Sequence, residues 1–421
     1  MRIPGPLPRF RIYTTPGSYL KVAWDTLLIR SGRGDDVVHF QEAVKERTGI
    51  PFALCMPQAR VGIFLAVRAL ISAGQKVVLS PYTIHEVINM VICAGGVPVF
   101  ADVERESCNL NCRQVEELID ADTGAVLVTH LHGLAMDVRR LAEVCREKKI
   151  ALIEDAAQAF GARLHGQSVG TYGDAGIYSF GMYKNLNTFY GGMVVTRHEQ
   201  LFHRLSSELA SFPPQELSAS LKKVTHGFLT DLATYPPLFR SLTFRLFRFG
   251  YLHDIEVLNK QVRVEDNPQM KRVVPESYLC RMRPMQARVG LRGISRVDQD
   301  TQVRIAFARV YHEGLRDLDQ LTLPPFLENG SHIYTYYPIQ FADRHALVRY
   351  LMKEGCDLAV QHLKNCADLP CFKEFHRDCP NARATANETI LLPTYPRYSP
   401  EDVKRNIRAI QAFFGLKGAA S

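Results

Sequence analysis

Residues 153–196 read IEDAAQAFGARLHGQSVGTYGDAGIYSFGMYKNLNTFYGGMVVT, and this stretch decides the fold. The apolar run 151–154 just before and into it predicts a short buried strand that delivers Asp155 at its end. A carboxylate at the carboxyl end of an apolar strand in an α/β protein points into the crevice where ligands bind. Gln158 falls on the same side once the chain turns. After Gly161, Gly166, Gly170 and Gly173 a second apolar strand, 175–180, carries Ser179. Lys184 and Asn185 follow, then the paired Gly191 and Gly192. Lys184 is therefore expected just past a strand end, near the point where Asp155 emerges.

An amine and a carboxylate presented from neighbouring strand ends suit pyridoxal phosphate chemistry. The lysine forms a Schiff base with the cofactor aldehyde, and the buried carboxylate keeps the pyridine nitrogen protonated so that the ring draws electrons. To react as a free amine Lys184 must be desolvated or lie near other cations, which a glycine-walled crevice provides. Taken singly, Lys184 reads as a surface lysine after a strand and Asp155 as a helix cap. Their joint placement carries the chemistry.

The order and spacing of these residues resemble the DegT/DnrJ/EryC1/StrS family of sugar aminotransferases. The family pattern is a strand ending in E-D-A-A-Q, a G-x-x-V-G-x-x-G-D turn, an S-F strand, K-N and G-G. Here these are residues 154–158, 166–174, Ser179 and Phe180, Lys184 and Asn185, and Gly191 and Gly192. The resemblance implies an α/β fold, the aspartate aminotransferase-like fold type I of pyridoxal phosphate-dependent transferases, with a large mostly parallel sheet domain and a smaller C-terminal α/β domain. It also implies roles: Asp155 on the pyridine nitrogen, Gln158 on the ring oxygen, Ser179 on the phosphate and Lys184 as the covalent anchor.

Along the rest of the chain the resemblance continues with departures. Residues 1–40 form a Pro-, Gly- and Arg-rich arm with little periodicity, 41–265 the large domain and 266–421 the small one. At 57–60 a strand runs through Pro57 into an apolar helix, and a helix N-terminus is a natural anion site. The family's phosphate-binding S-G-T there is Gln58, Ala59 and Arg60. Arg60 can replace the missing hydroxyl with a charge-assisted fork, while Ala59 holds the backbone farther from a phosphate than glycine would. Thr83 fits the family's P-S-x-T turn and reaches toward phosphate. Ile84 stands where relatives stack an aromatic ring, leaving the stacking to aliphatic contact or to Tyr82 or His85. Arg281, Met282 and Gln286 match a segment that in relatives enters the neighbouring subunit's site, with Leu279 in place of its asparagine. Arg281, Arg288, Arg292 and Arg296 repeat at helical spacing and read as a solvated face. His362 falls on the substrate loop.

Residues 220–260 depart most in length and composition. Leu238, Phe239, Leu242, Leu246 and Phe249 share one face of a predicted helix, with Arg240, Arg245 and Arg248 beside it. This pattern fits a helix buried at a subunit or domain contact, and it also fits a basic amphipathic helix, 236–251, lying in a membrane interface.

Composition sets the bounds. At 421 residues and 46% apolar the chain can build two cores. An excess of 51 Lys and Arg over 43 Asp and Glu, net +8, favours phosphorylated substrates, nucleotides or an acidic membrane surface. Ten cysteines without zinc spacing read as reduced thiols in a cytosol. His130 and His132 lie near a strand end and read as core histidines, so no metal is expected, nor any nucleic acid. The opening MRIPGPLPRFRIY is broken by Pro and Arg and does not read as a signal peptide, and no apolar run spans a bilayer.

The expected protein is thus a cytoplasmic homodimer with shared active sites. It would convert a ketosugar, nucleotide-linked, to an aminosugar with glutamate or glutamine as donor, in two half-reactions through Lys184. Two alternatives remain: the same chemistry on a ketocyclitol or on a lipid-linked glycan at the inner membrane face, and a non-catalytic pyridoxal phosphate-binding regulator, motivated by Ala59, Ile84 and Leu279. A dehydratase branch that replaces the lysine with histidine is disfavoured by Lys184.

Overall fold

The computed structural model describes residues 5–12, 16–27, 34–253, 255 and 268–416. Among these described residues the strands, in chain order, are β1 Phe52–Met56, β2 Lys76–Leu79, β3 Tyr82–Thr83, β4 Val97–Phe100, β5 Thr123–Thr129, β6 Ala151–Asp155, β7 Arg163–Leu164, β8 Gln167–Ser168, β9 Ala175–Ser179, β10 Gly192–Thr196, β11 Tyr337–Gln340, β12 Ala359–Val360, β13 Lys364–Asn365 and β14 Thr389–Leu392. Seven form the main sheet, in the order β1-β10-β9-β6-β5-β2-β4. Only β10 runs against its neighbours. The Val-, Leu- and Ile-rich runs are buried on both faces because helices cover both, which explains their lack of polar alternation.

Helices Ala59–Leu70 and His85–Cys93 pack together on one face, and Arg139–Lys148 covers the other. Each buries an apolar stripe fixed by its spacing, Leu141, Val144 and Cys145 in the last case.

The carboxyl ends of β6 and β9 lie side by side, with Asp155 opposite Ile177. Ser179 then points to the same face as Ile177, two residues farther on. The antiparallel β10 brings Gly192 opposite Ser179 on one side and Met56 on the other. Gly192 has to be glycine: a Cβ there would lie 2.5 Å from the Ala59 amide nitrogen. Its bareness lets the helix starting at Ala59 approach Ser179.

Glu154 explains the glycine-rich turn. Its side chain is fully buried, and it accepts backbone N–H bonds from Gly170 (2.9 Å), Tyr172 (2.6 Å) and Gly173 (2.8 Å). His130 takes a backbone N–H from Met136 on Nδ1, which leaves its Nε2–H to donate to Glu154 at 3.1 Å. A buried carboxylate with four donors is satisfied, and the turn it gathers is held against the strand.

A second core surrounds the sheet β11-β14-β12, with helices Val297–Leu315, Arg344–Lys353 and Pro400–Phe413. Residues 5–12 of the N-terminal arm dock here on their own chain. Leu7 enters the core, Arg9 Nε donates to Asp357 Oδ1 at 2.8 Å, and the Tyr395 hydroxyl donates to the Pro8 carbonyl at 2.6 Å. The arm also contains a helix, Pro16–Leu27, that its weak periodicity does not announce.

Three sequence expectations are corrected. The run HIYTYYPIQF, 332–341, reads in sequence as one strand, but the strand begins only at Tyr337, because 332–335 pair instead with 131–135: Ile333 N–H donates to Gly133 O and Thr335 N–H to His132 O, both at 2.9 Å. In the arginine stripe, Arg288 is not solvated but bonded to Asp25 (2.7 Å) and Asp36 (2.8 Å), which ties two N-terminal helices to helix Pro284–Gly293. The helix expected around Leu238 contains a π-helical turn, Phe239–Thr243, and this extra residue rotates the buried face. Phe239 and Phe244 go inside against Met352, while Leu242, Leu246 and Phe249 stay about half exposed. Among the described residues no helix is long and apolar enough to cross a membrane.

Candidate active site

The site lies at the carboxyl ends of β6 and β9. Asp155 is 5% exposed, and its Oδ1 accepts the Ala157 amide at 3.0 Å. Burial pushes its carboxyl up from the ordinary range; the Ala157 amide, Lys184 and His130 oppose this. Lys184 sits on the loop after β9, its amide bonded to the Gly181 carbonyl at 3.1 Å. Burial lowers its ammonium pKa and Asp155 resists, so the pair share one field and Lys184 is closer to a free amine than a solvated lysine. Gly181 joins the two strand-end groups: a Cβ there would lie 3.8 Å from both Ser179 Oγ and Lys184 Cγ.

Gln158 turns its side-chain oxygen to the His132 amide at 3.0 Å, and its own carbonyl accepts the Thr335 hydroxyl at 2.7 Å. The same hydroxyl lies 3.3 Å from Asn185 Oδ1. Residues 331–335 thus close the site from below. His132 is buried in a left-handed conformation (φ 55°), with neither ring nitrogen hydrogen-bonded. Burial, with His362 and Lys184 nearby, drives its pKa down to about 3, so the ring is neutral.

A cavity of about 410 Å³ is lined by Arg60, Thr83, Ile84, His85, Glu86, Lys271, Tyr278, His362, Lys364 and Leu369. Asp155, Gln158, Ser179 and Lys184 do not line it, and His362, near enough to Lys184 for their charges to interact, connects the two. Thr83 is buried on β3, paired with Lys364 of β13, so the smaller lobe supplies one wall. Ile84 caps the next helix and presents an aliphatic surface. Arg60 lies 3.3 Å from Glu86 and donates to the Tyr278 hydroxyl at 3.2 Å, its guanidinium 5.3 Å from that ring centre. Burial raises the Glu86 carboxyl, but bonds from His85 and Lys271 and the charge of Arg60 outweigh it and hold it at about 2. The His362 side chain reaches water through the cavity, yet the enclosing walls and Lys184 lower its pKa to about 4.

The remaining sequence candidates fall elsewhere. Ala59 touches Gly192 through its backbone. Arg281 is exposed outside the cavity, its amide bonded to the Pro213 carbonyl at 2.8 Å. Tyr82 is wholly buried in the main core and unavailable for stacking, whereas His85 lines the cavity. Lys271, Glu86 and Lys364 carried no signal, being brought together only by the fold. Among the described residues no group of His, Cys, Asp or Glu is arranged to hold a metal. A larger cavity, about 600 Å³, lies at the opposite ends of the strands around Ala151 and Arg197, away from this chemistry.

These residues fit pyridoxal phosphate. The site offers a desolvated amine, a buried carboxylate, and a hydroxyl beside a helix start whose N-cap, Gln58, makes no side-chain cap bond. A profile of the DegT/DnrJ/EryC1/StrS aminotransferase family matches residues 24–213 and 253–411.

The chain belongs to this family.

Family aminotransferases use pyridoxal phosphate, and the chain is accordingly a pyridoxal phosphate-dependent aminotransferase of the sugar-acting group. It is 25% identical over 398 residues to the spore coat polysaccharide biosynthesis protein SpsC of Bacillus subtilis, covering 92% of this chain and 91% of that one. It is also 25% identical over 405 residues to GDP-perosamine synthase of Caulobacter vibrioides, covering 93% of each. The solved structure of Helicobacter pylori PseC, an aminotransferase of pseudoaminic acid biosynthesis, shares the fold at a TM-score of 0.74, with 18% identity and coverage of 99% and 100%.

Proposed function

We propose that this aminotransferase converts the ketone of a nucleotide-linked ketosugar to an amine, with glutamate or glutamine as donor and ping-pong kinetics. The observation that carries the nucleotide link is the cavity rim. Beside Arg60, which is assigned to the cofactor phosphate, the rim carries Lys271 and Lys364 against the single carboxylate Glu86, an excess of positive charge suited to a diphosphate.

Bound pyridoxal phosphate supplies a ring that stores the electron pair released when the donor Cα loses its proton. The chain does the rest. Asp155 would keep the ring nitrogen protonated, and Gln158, its Oε1 held by the His132 amide, would bind the ring oxygen. Ser179, with Arg60 and Thr83, would hold the phosphate beside the helix that starts at Ala59. Lys184 Nζ takes the proton from the donor Cα and returns one to the carbon that becomes the aminated centre. Ile84 and His362 bound the space for the acceptor.

The same proposal takes the protein as a cytoplasmic homodimer with Arg281 toward the partner's site, and divides the chain at 40 and 265. The test is product formation, followed by mass spectrometry, from nucleotide-linked ketosugars and from the matching free ketosugars, with glutamate present. Amination of the nucleotide-linked series only is the expected result. Equal turnover of both series contradicts the rim's role.

A second reading, an acceptor that is a ketocyclitol or a lipid-linked glycan at the inner membrane face, is favoured by the exposed apolar side chains of residues 236–251.

A further inference from the structure

The family profile is interrupted at residues 214–252. This segment leaves the common scaffold where Pro213 and Gln215 bond to the backbone of Arg281, and it folds as two helical arms joined at residues 234–235. Helix Leu217–Ala233 leads through Thr234 and Tyr235 into the second arm, which runs from Pro236 to Leu252. Each arm is anchored on one side. Gly227 lies against Phe189, and Phe239 and Phe244 pack on Met352.

The segment's exposed side is apolar. Of the fourteen large hydrophobic side chains exposed among the described residues, seven belong to this insertion. Phe228, Leu229 and Leu232 lie on the first helix, Tyr235 at the turn, and Leu242, Leu246 and Phe249 on the second arm. Within each helix the spacing puts them on one side. Helix Pro16–Leu27 touches the first arm through Tyr19, which lies edge-on to Phe228 at 5.5 Å and donates to Asp231 at 3.0 Å. That helix exposes Leu20 (72%) and, one turn on, Trp24 (61%), the only tryptophan of the chain.

Exposed apolar patches on this scale mark contact surfaces. A contact shared by the family would be carried by the scaffold its members share, and this segment lies outside it. Residues 214–252 hold five Lys or Arg against two acids. Of those acids, Asp231 is turned onto Tyr19 and Arg11. Lys222 and Arg245 are exposed beside the apolar rows, as is Lys21 on the neighbouring helix. A second copy meeting this face about a two-fold axis would set basic residues against basic residues. Anionic lipid complements both properties, since interfacial helices bury Phe, Leu and Trp at the headgroup boundary while Lys and Arg meet the headgroups.

We propose that the 214–252 segment, together with the Leu20–Trp24 edge, docks the enzyme on an anionic membrane surface. This goes beyond the reading of the catalytic site, and its test needs no acceptor. The purified holoenzyme is mixed with vesicles of phosphatidylcholine alone or of phosphatidylcholine with phosphatidylglycerol. Trp24 emission and co-sedimentation are followed beside the double variant Leu246→Glu, Phe249→Glu.

The expected result is a blue shift of Trp24 and co-sedimentation with the anionic vesicles only, weakened by salt and reduced at least tenfold in the variant. Unchanged cofactor absorbance and circular dichroism establish that the variant is folded. Absence of a blue shift and of co-sedimentation with either vesicle overturns the proposal. So does concentration-dependent dimerisation that the variant abolishes while lipid has no effect, since the face would then be covered by a second copy.

Discussion

Residues 153–196 turn their polar groups inward, and residues 214–252 turn apolar groups outward. In the first region Glu154 and Asp155 are buried, and each charge meets backbone amides or a cation from its own chain. Holding such groups out of water is costly unless every donor is supplied, so the segment tolerates little change. In the second region Leu242, Leu246 and Phe249 are about half exposed, and the fold gains little from them. Chemistry is therefore expected from the first region and contact with other matter from the second. Substitutions can break or sharpen that division.

The largest effect is expected at Asp155. Asp155→Asn removes the preorganised charge at the ring nitrogen and lowers kcat by roughly 10²–10³-fold, measured by steady-state kinetics. The sign of its pH effect is fixed. Burial lowers the Lys184 pKa and Asp155 opposes it, so losing the carboxylate lowers that pKa further and moves the acid limb of cofactor capture to lower pH. A shift toward alkaline pH would break the pairing of Asp155 with Lys184.

Next comes Glu154→Ala, which strands three backbone amides and His130 in the core. A loss of about 3–5 kcal/mol in urea unfolding is expected. A loss below about 1 kcal/mol would mean the turn 170–173 is held by something else. Gly192→Ala is expected to cost about 1–3 kcal/mol by overpacking and to weaken cofactor retention on dialysis, because the added methyl meets the first amide of the helix from Ala59. The smallest effect belongs to the second region. Leu246→Gln is expected to change stability by no more than about 0.5 kcal/mol without lipid. A clear destabilisation would place Leu246 in a permanent contact and erase the contrast.

Much of this was legible because it is local. Asp155, Ser179 and Lys184 follow apolar runs whose strand ends are marked by glycines, and the β6–β9 pairing makes neighbours of residues only about 30 apart. The rim was not legible: Glu86, Lys271, Tyr278 and Lys364 come from distant segments, and ordinary surface residues have the same appearance in a sequence. Pairing of 332–335 with 131–135 was hidden because alternation in HIYTYYPIQF suits a continuous strand equally well. The π turn hid the true buried face of the second insertion arm, since helical spacing assumes 3.6 residues per turn. Arg60 was read toward phosphate from its position alone, and the structure adds Glu86 and Tyr278 as its partners.

The central claim, that Lys184 is the amine that captures the cofactor aldehyde beside Asp155, is tested most directly by absorbance. Pyridoxal phosphate is added to the purified wild type and to Lys184→Ala, and glutamate follows. The prediction is a long-wavelength band that requires Lys184 and is bleached by glutamate. A band of equal strength in Lys184→Ala, or none in the wild type, would contradict it.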